Sequence, residues 1–294
     1  MAGAGFGVTL FGASIEGFAS NAWWGVIGDP PGETAGHVPF MVSWAPAIVL
    51  GVAIGLPLVA RPLRPWFGPA VAMASLMWIG QLAAWLLLYL DLTSAVVPSG
   101  GSLVMIAGLV ATTSAGIGDA VARRRRTSEP VAPDGKASIV ALTALATVVI
   151  GASLPVLSRN NRWGTPVPPI PKGVNPPNRG DAAETWWGIL GPDPQQAVEP
   201  LTQLTVVALP LLLIAVAVVP SLSVSSARAW FGPAVAFGTL MWFMWFVAWW
   251  GIYEDHVDSV EWGLGFMVMI VGFVVAFGGA LVDGLDALEE PESV

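Results

Sequence analysis

The sequence predicts an all-α integral membrane protein, with about eight transmembrane helices arranged as two parallel four-helix repeats. Three observations predict it. Of 294 residues, 55% are hydrophobic and only 11% charged, and the mean hydropathy is +0.70, whereas soluble domains carry roughly 25% charged residues. Apolar runs long enough to cross a hydrocarbon core of about 30 Å recur along the chain. One heptapeptide, WFGPAVA, occurs at 66–72 and again at 230–236.

The first expected span, 2–20, is rich in Gly and Ala and carries Glu16 near its far end. It lacks a basic start and an obvious processed end, so a retained first helix is expected rather than a signal peptide, with a re-entrant or interfacial segment as the alternative. The second, 38–60, contains Pro46 and Pro57, and the sixth, 200–221, contains Pro210 and Pro220; these prolines should bend the helices that hold them. The third, 66–90, opens on the heptapeptide, and its counterpart, the seventh, covers 229–253. The fourth, 102–122, and the eighth, 262–282, carry small residues from Gly108 to Gly118 and from Gly272 to Gly279, which permit close helix approach. The fifth, 137–157, follows Lys136.

Short cytoplasmic connections accumulate Lys and Arg. The connections after the second, fourth and sixth spans hold Arg61, Arg64, Arg123 to Arg126, Lys136 and Arg228, eight of the twelve basic residues. With eight spans, both termini are then cytoplasmic, and the natural location is the plasma membrane.

The repeat extends well beyond the heptapeptide. At the same offset of 164, Trp78 matches Trp242, Tyr89 and Asp91 match Tyr253 and Asp255, Met105 and Gly108 match Met269 and Gly272, and Asp119 matches Asp283. Gly12, Ala13, Ser14 align with Gly151, Ala152, Ser153. The chain divides into a first four-helix repeat at 1–126, a linker at 127–136, and a second repeat at 137–294 with a Pro-rich outward loop at 158–198. Because four is even, both copies enter the membrane in the same sense, related by an axis along its normal. The Pro-rich loop should be extended and polyproline-like. It has no core of its own, so it is expected to pack on the membrane domain or on a partner, with Trp163, Pro168, Pro169, Trp186 and Trp187 as the partner-binding residues.

Composition removes several chemistries. With no cysteine, disulfides, thiolate metal sites and cysteine nucleophiles are excluded. His37 and His256 are the only histidines and the net charge is −8, which argues against paired-histidine haem and against nucleic acid as a partner. There is no phosphate-cradling Gly loop, nucleophile–base pair or HExxH motif.

Of the fifteen tryptophans, Trp23, Trp24, Trp66, Trp186, Trp187, Trp230, Trp249, Trp250 and Trp262 fall near span ends and read as an aromatic belt. Trp78, Trp242 and Trp245 lie deeper and should pack against other helices. The paired polar residues Asp91 and Asp255, Asp119 and Asp283, and Tyr89 and Tyr253 sit near span ends, where boundary or inter-repeat hydrogen bonding is expected rather than ion binding. Only Gln81 is strongly polar near mid-depth, which counts against an ion-coupled carrier. Glu254, Asp255 and His256, with Asp258 and Glu261 nearby, offer an imidazole and carboxylates to a divalent ion. An acidic solvated turn reads the same way.

Two stretches, SLPVL at 153–157 ahead of the Pro-rich loop and LMWFMWFV at 240–247 followed by VVAFGGAL at 274–281, resemble the integral membrane subunits of copper-dependent ammonia, methane and hydrocarbon monooxygenases. Phe243 stands where that resemblance implies a histidine. It therefore implies a subunit that holds no copper itself, with the metal in a partner chain.

The expected function is thus a non-catalytic, membrane-embedded structural subunit of a multi-subunit complex, a copper-dependent monooxygenase if the resemblance holds, in contact with the lipid bilayer and with other membrane or outward-facing subunits. No cofactor is expected in this chain. The alternatives are a carrier or channel for a small neutral or apolar molecule, and a metal-dependent membrane enzyme using His256.

Overall fold

Each apolar run becomes a helix. In the computed structural model, which describes residues 1–14, 44–92, 100–124, 136–159, 183–185, 200–223, 225–256 and 260–289, the helices are α1 (Ala2–Ser14), α2 (Ala45–Val59), α3 (Phe67–Leu92), α4 (Gly100–Arg124), α5 (Lys136–Ala152), α6 (Pro200–Ser223), α7 (Phe231–His256) and α8 (Leu264–Glu289). Short 3₁₀ connectors, Arg61–Trp66 and Ser225–Trp230, lead into α3 and α7. In the first, Pro62 and Pro65 remove backbone donors, and Ala60 is already extended (φ −92°, ψ 97°), which ends α2. Both connectors and the pair α3 and α7 have bounds displaced by the same 164 residues as the sequence identities.

Among the described residues, four segments are long and apolar enough to cross a membrane: Arg61–Ala84, Gly100–Arg123, Arg228–Ala248 and Leu264–Leu288. At about 1.5 Å per residue, the 26 residues of α3 extend about 39 Å. Shorter apolar helices, Ala2–Ser14, Ala45–Val59, Lys136–Ala152 and Ala208–Val219, accompany them. The outward surfaces are apolar too. Along α8, Leu264, Met267, Val271, Val274, Val282 and Leu285 are exposed while Phe266, Met269, Phe273, Ala276 and Ala280 are buried. Water would not tolerate so continuous an apolar face, but lipid is a matching solvent.

The most extensive pairings are α5 with α8 and α1 with α4, followed by α3 with α4 and α7 with α8; α3 and α7 contact each other, α3 touches α6, and α7 touches α2. Small residues set the closest of these approaches. A Cβ on Gly12 would lie 2.3 Å from the Met105 amide nitrogen, and one on Gly108 would lie 2.4 Å from that of Thr9. In the second half, Gly151 meets Met269 and Gly265, and Gly272 meets Val148 and Ala144. These are the aligned positions.

The same contacts fix the ends of the bundle. Gly5 lies against Thr112 and Gly12 against Met105, so α1 runs antiparallel to α4 and its start lies beside the end of α4. Gly68 lies against Gly116 and Ala120, which places the start of α3 at that end as well. Trp66 Nε1 donates to the Gly284 carbonyl at 3.2 Å, which brings the close of α8 there. The start of α1 and the end of α8 therefore share one end of the bundle.

The opposite end departs from the expectation of helix alone. The fifth span stops at Ala152, short of 157, and Pro155–Arg159 forms a strand, β1, which pairs antiparallel with β2 (Ala183–Thr185) and with β3 (Val260–Trp262) in the order β2-β1-β3. Leu157 faces Glu184 on one side and Trp262 on the other. Pro155 cannot continue the helix ladder, and the chain turns into a strand that pairs with β2 and with β3, just ahead of α8. Residues 160–182 and 186–199, and with them Trp163, Pro168, Pro169, Trp186 and Trp187, lie outside the described residues, as does the remainder of the first expected span beyond Ser14.

Two further expectations change. Trp66, read as part of an aromatic belt, is buried against Gly284, because the connector folds inward and the indole finds a backbone acceptor. α8 continues to Glu289, so Asp283 lies more than a turn inside its helix and not at its boundary.

The close contact of α1 with α4 predicts an outcome that separates its glycines. Gly12→Ala should destabilise the protein by about 1–3 kcal/mol through overpacking. Gly7→Ala, where a Cβ meets nothing within 4 Å, should be neutral or stabilise by about 0.4–1 kcal/mol. Thermal unfolding of the two variants in detergent measures the difference.

Candidate functional site

The buried charges gather at the end of the bundle that holds both the start of α1 and the end of α8. Asp283 on α8 accepts from Arg228 Nη2 at 2.8 Å and from Ser138 Oγ at 2.5 Å, and Arg228 Nη2 also donates to Ser138 Oγ. Three elements meet here: α5 supplies Ser138, the second connector supplies Arg228, and α8 supplies Asp283. The ion pair is secluded, with side-chain exposures of 13% for Arg228 and 4% for Asp283. The Arg228 guanidinium also lies 4.8 Å above the Phe231 ring, a cation–π contact suited to a desolvated arginine. Its Nη1 is buried with no hydrogen-bond partner.

At the aligned place in the first half, Asp119 pairs with Arg123 one turn further along α4, at 2.7 Å, and the two are 27% and 44% exposed. Arg64, aligned with Arg228, is exposed. Ser138 has no counterpart, because α5 begins earlier against α8 than α1 does against α4. The repeat-paired aspartates therefore differ in role: Asp119 makes a surface pair within its helix, and Asp283 ties three elements of one half together. The bond between halves comes instead from Trp66 and Gly284.

A second concentration of chemistry is the seam between α7 and α8. Trp242 and Phe273 meet edge to face, with centroids 5.2 Å apart at 82°, and Phe243 and Phe246 pack on the same Phe273 ring. Phe246 also meets Phe266 at 5.2 Å. Between α3 and α4 the aligned residues are aliphatic or polar: Trp78 is kept, but Ile79, Leu82, Ser102 and Leu109 stand for Phe243, Phe246, Phe266 and Phe273. There the seam is closed by a hydroxyl pair, Ser75 with Thr113 at 2.8 Å. Phe277 replaces Thr113 in the second half, which leaves Thr239, the counterpart of Ser75, with a buried hydroxyl that has no partner. The buried indole nitrogens of Trp78, Trp242 and Trp245 likewise have no hydrogen-bond partner. Beside this seam lies a cavity of about 160 Å³ lined by Thr239, Leu240, Phe243, Phe273, Val274 and Phe277, and a larger groove of about 260 Å³ runs between α5 and α8. Apart from Thr143 and Thr147 in the groove and Thr239 in the cavity, the side chains that line them are apolar.

Of the sequence candidates, Glu254, Asp255 and His256 form the last turn of α7, and Glu261 lies in β3; only their backbone is described, and Asp258 is outside the described residues. The same holds for Tyr89 and Asp91 at the end of α3 and for Tyr253. Among the described residues, no group of three His, Cys, Asp or Glu side chains is placed to hold a metal ion. Phe243, at the position where the monooxygenase resemblance implies a histidine, offers a hydrocarbon ring packed on Phe273 at 5.7 Å, so that position carries no donor for copper. Ser138 and Arg228, which sequence reasoning did not connect to Asp283, share no motif with it. The one available signal was that Arg228 and Asp283 both sit at the repeat offset from Arg64 and Asp119. Compared with protein-family models, with curated proteins and with solved structures, the chain matches none.

The contrast between the two aspartates is measurable. Asp283→Ala leaves the Arg228 charge buried and unpaired and should cost about 3–5 kcal/mol. Asp119→Ala removes an exposed helix pair and should cost under about 1 kcal/mol. Unfolding midpoints in detergent, ranked for the two variants and the wild type, check this order.

Proposed function

We propose that the chain is a non-catalytic, membrane-embedded structural subunit of a multi-subunit complex. In this reading it is built from two parallel four-helix repeats, with all eight helices crossing the plasma membrane and both termini in the cytoplasm. The observation that carries the proposal is the filled contact between the halves. Gly238 on α7 seats the side chains of Met73 and Ile214, and Gly80 on α3 seats those of Leu209 and Leu213, where a carrier needs a passage. Trp78, Trp242 and Trp245 are fully buried in the same central helices.

Support for the repeat reading comes from the pairing of contacts. The pairs α1 with α4, α2 with α3 and α3 with α4 have counterparts in α5 with α8, α6 with α7 and α7 with α8, and α3 with α7 is the contact that maps onto itself. In this reading the axis runs between them, along the membrane normal. Support for the orientation comes from the end of the bundle where Arg61, Arg64, Arg123, Lys136 and Arg228 lie, which is the end expected to face the cytoplasm. The opposite end, with its three-stranded sheet and Pro-rich loop, is then the outward docking face. The monooxygenase resemblance of SLPVL and LMWFMWFV extends the proposal to a copper-dependent complex whose metal is held by a partner chain.

A mild-detergent pull-down of the tagged chain from its native membrane tests both levels. Stoichiometric partner chains are the expected result, and copper in the same fraction supports the monooxygenase extension. Partners without copper remove that extension and leave the scaffold. A monodisperse lone protein overturns the subunit reading, and solute flux in proteoliposomes is then the measurement for a carrier.

A further inference from the structure

The two 3₁₀ connectors occupy aligned places but present opposite chemistry. The second, Ser225–Trp230, has one arginine, and Arg228 is held inside by Asp283 and Ser138. The first, Arg61–Trp66, has two, Arg61 and Arg64, and both are exposed. Neither carries an ion pair among the described residues. Elsewhere at this end of the bundle, Arg123 is engaged with Asp119.

We propose that Arg61 and Arg64 form a binding site for the phosphate of an anionic phospholipid headgroup. A 3₁₀ helix has 3.0 residues per turn, so side chains at i and i+3 eclipse, separated by a rise of about 6 Å over three residues. Arg61 and Arg64 thus stand on one face at a spacing that lets two guanidinium forks address one phosphate. The platform is stiff. Pro62 and Pro65 fix its backbone, and Trp66 at its end is buried with its indole donating to the Gly284 carbonyl. The connector also lies at the right depth, because it directly follows the most outward-facing residues of α2: Leu58 is 64% exposed and Val59 87%. Side chains that bare belong against acyl chains, and the residues just beyond them lie where headgroup phosphates lie. Anionic lipid attracts such basic positions at the membrane surface. The second connector, with Ser225 in place of Arg61 and its arginine neutralised, makes no such site, so one such lipid binds per chain. The proposal rests on the membrane embedding of α2 and α3 and does not require the subunit reading.

The test is native mass spectrometry of the full chain released from bilayers containing equal phosphatidylglycerol and phosphatidylcholine of the same acyl composition. The wild type should retain one phosphatidylglycerol in preference to phosphatidylcholine. Arg61→Gln with Arg64→Gln should lower that retention by at least about tenfold, while Lys136→Gln, which removes an exposed cation at the same end, should leave it unchanged. Arg61→Lys with Arg64→Lys keeps both charges and loses the planar forks, and should lower retention several-fold. It serves in place of the glutamine pair if that variant does not fold, as judged by its unfolding midpoint. Equal loss in Lys136→Gln would reduce the effect to general surface charge and overturn the site. Undiminished retention in both arginine variants would also overturn it. Displacement of the lipid by millimolar inorganic phosphate would assign a free-anion site instead and overturn the headgroup assignment.

Discussion

Lipid tails are as apolar as leucine, so helices in a bilayer gain little from burying apolar side chains and are held instead by how closely their backbones approach. The glycines at the contacts of α1 with α4 and of α5 with α8 govern that approach, and much of the fold follows from them. α1 is a poor helix by propensity, with Gly3, Gly5, Gly7 and Gly12 in 13 residues, since each glycine costs up to about 1 kcal/mol relative to alanine. It is a helix because α4 presents Gly101 and Gly108 to receive it. With α1 and α5 held on the outside in this way, α3 and α7 are left to meet at the centre, where larger side chains take over.

The two halves share a backbone plan and are held by different side-chain chemistry. Between α3 and α4, hydroxyls do the joining, with Ser75 bonded to Thr113 and each also bonded back to its own helix. Between α7 and α8 the hydroxyl pair is absent, and interlocked rings at the positions aligned with Trp78, Ile79, Leu82, Ser102 and Leu109 join the helices. The charged end follows suit: a solvated pair in the first half, a buried three-residue knot in the second. A duplicated plan with one wetter and one drier half is a physical asymmetry that sequence identity at the repeat offset does not reveal, because the identical residues are the ones that set geometry and the divergent ones set polarity.

Helix number and order were legible in the sequence from the apolar runs, although among the described residues only four segments are long and apolar enough to cross a membrane. The offset of 164 was legible from WFGPAVA alone, and the connectors and central helices obey it to the residue. What could not be read was side-chain partnership across long separations. Trp66 looked like any indole near a span end, and only the approach of α8, 218 positions later, supplies its acceptor. Asp283 looked like a boundary residue because the eighth expected span ends at 282, whereas α8 continues past it. β1 was hidden inside a run that is apolar enough to pass for helix until Pro155 ends it. Glu254, Asp255 and His256 carried the local metal-like pattern, and of these three the described structure gives the backbone at the end of α7.

The sheet at the far end has a bearing on how the chain is assembled. β1 and β2 leave the ribosome well before β3, and the central strand pairs with both. The sheet is therefore incomplete until the segment just ahead of the last helix has emerged, and Leu157 finds Trp262 only then. Closing it needs only the chain ahead of α8, so the pairing of β1 with β3 fixes the start of the last helix beside the end of α5 before that helix has emerged. A chain arrested before β3 would expose β1 along one edge, an open strand of the kind that quality-control proteases and chaperones recognise.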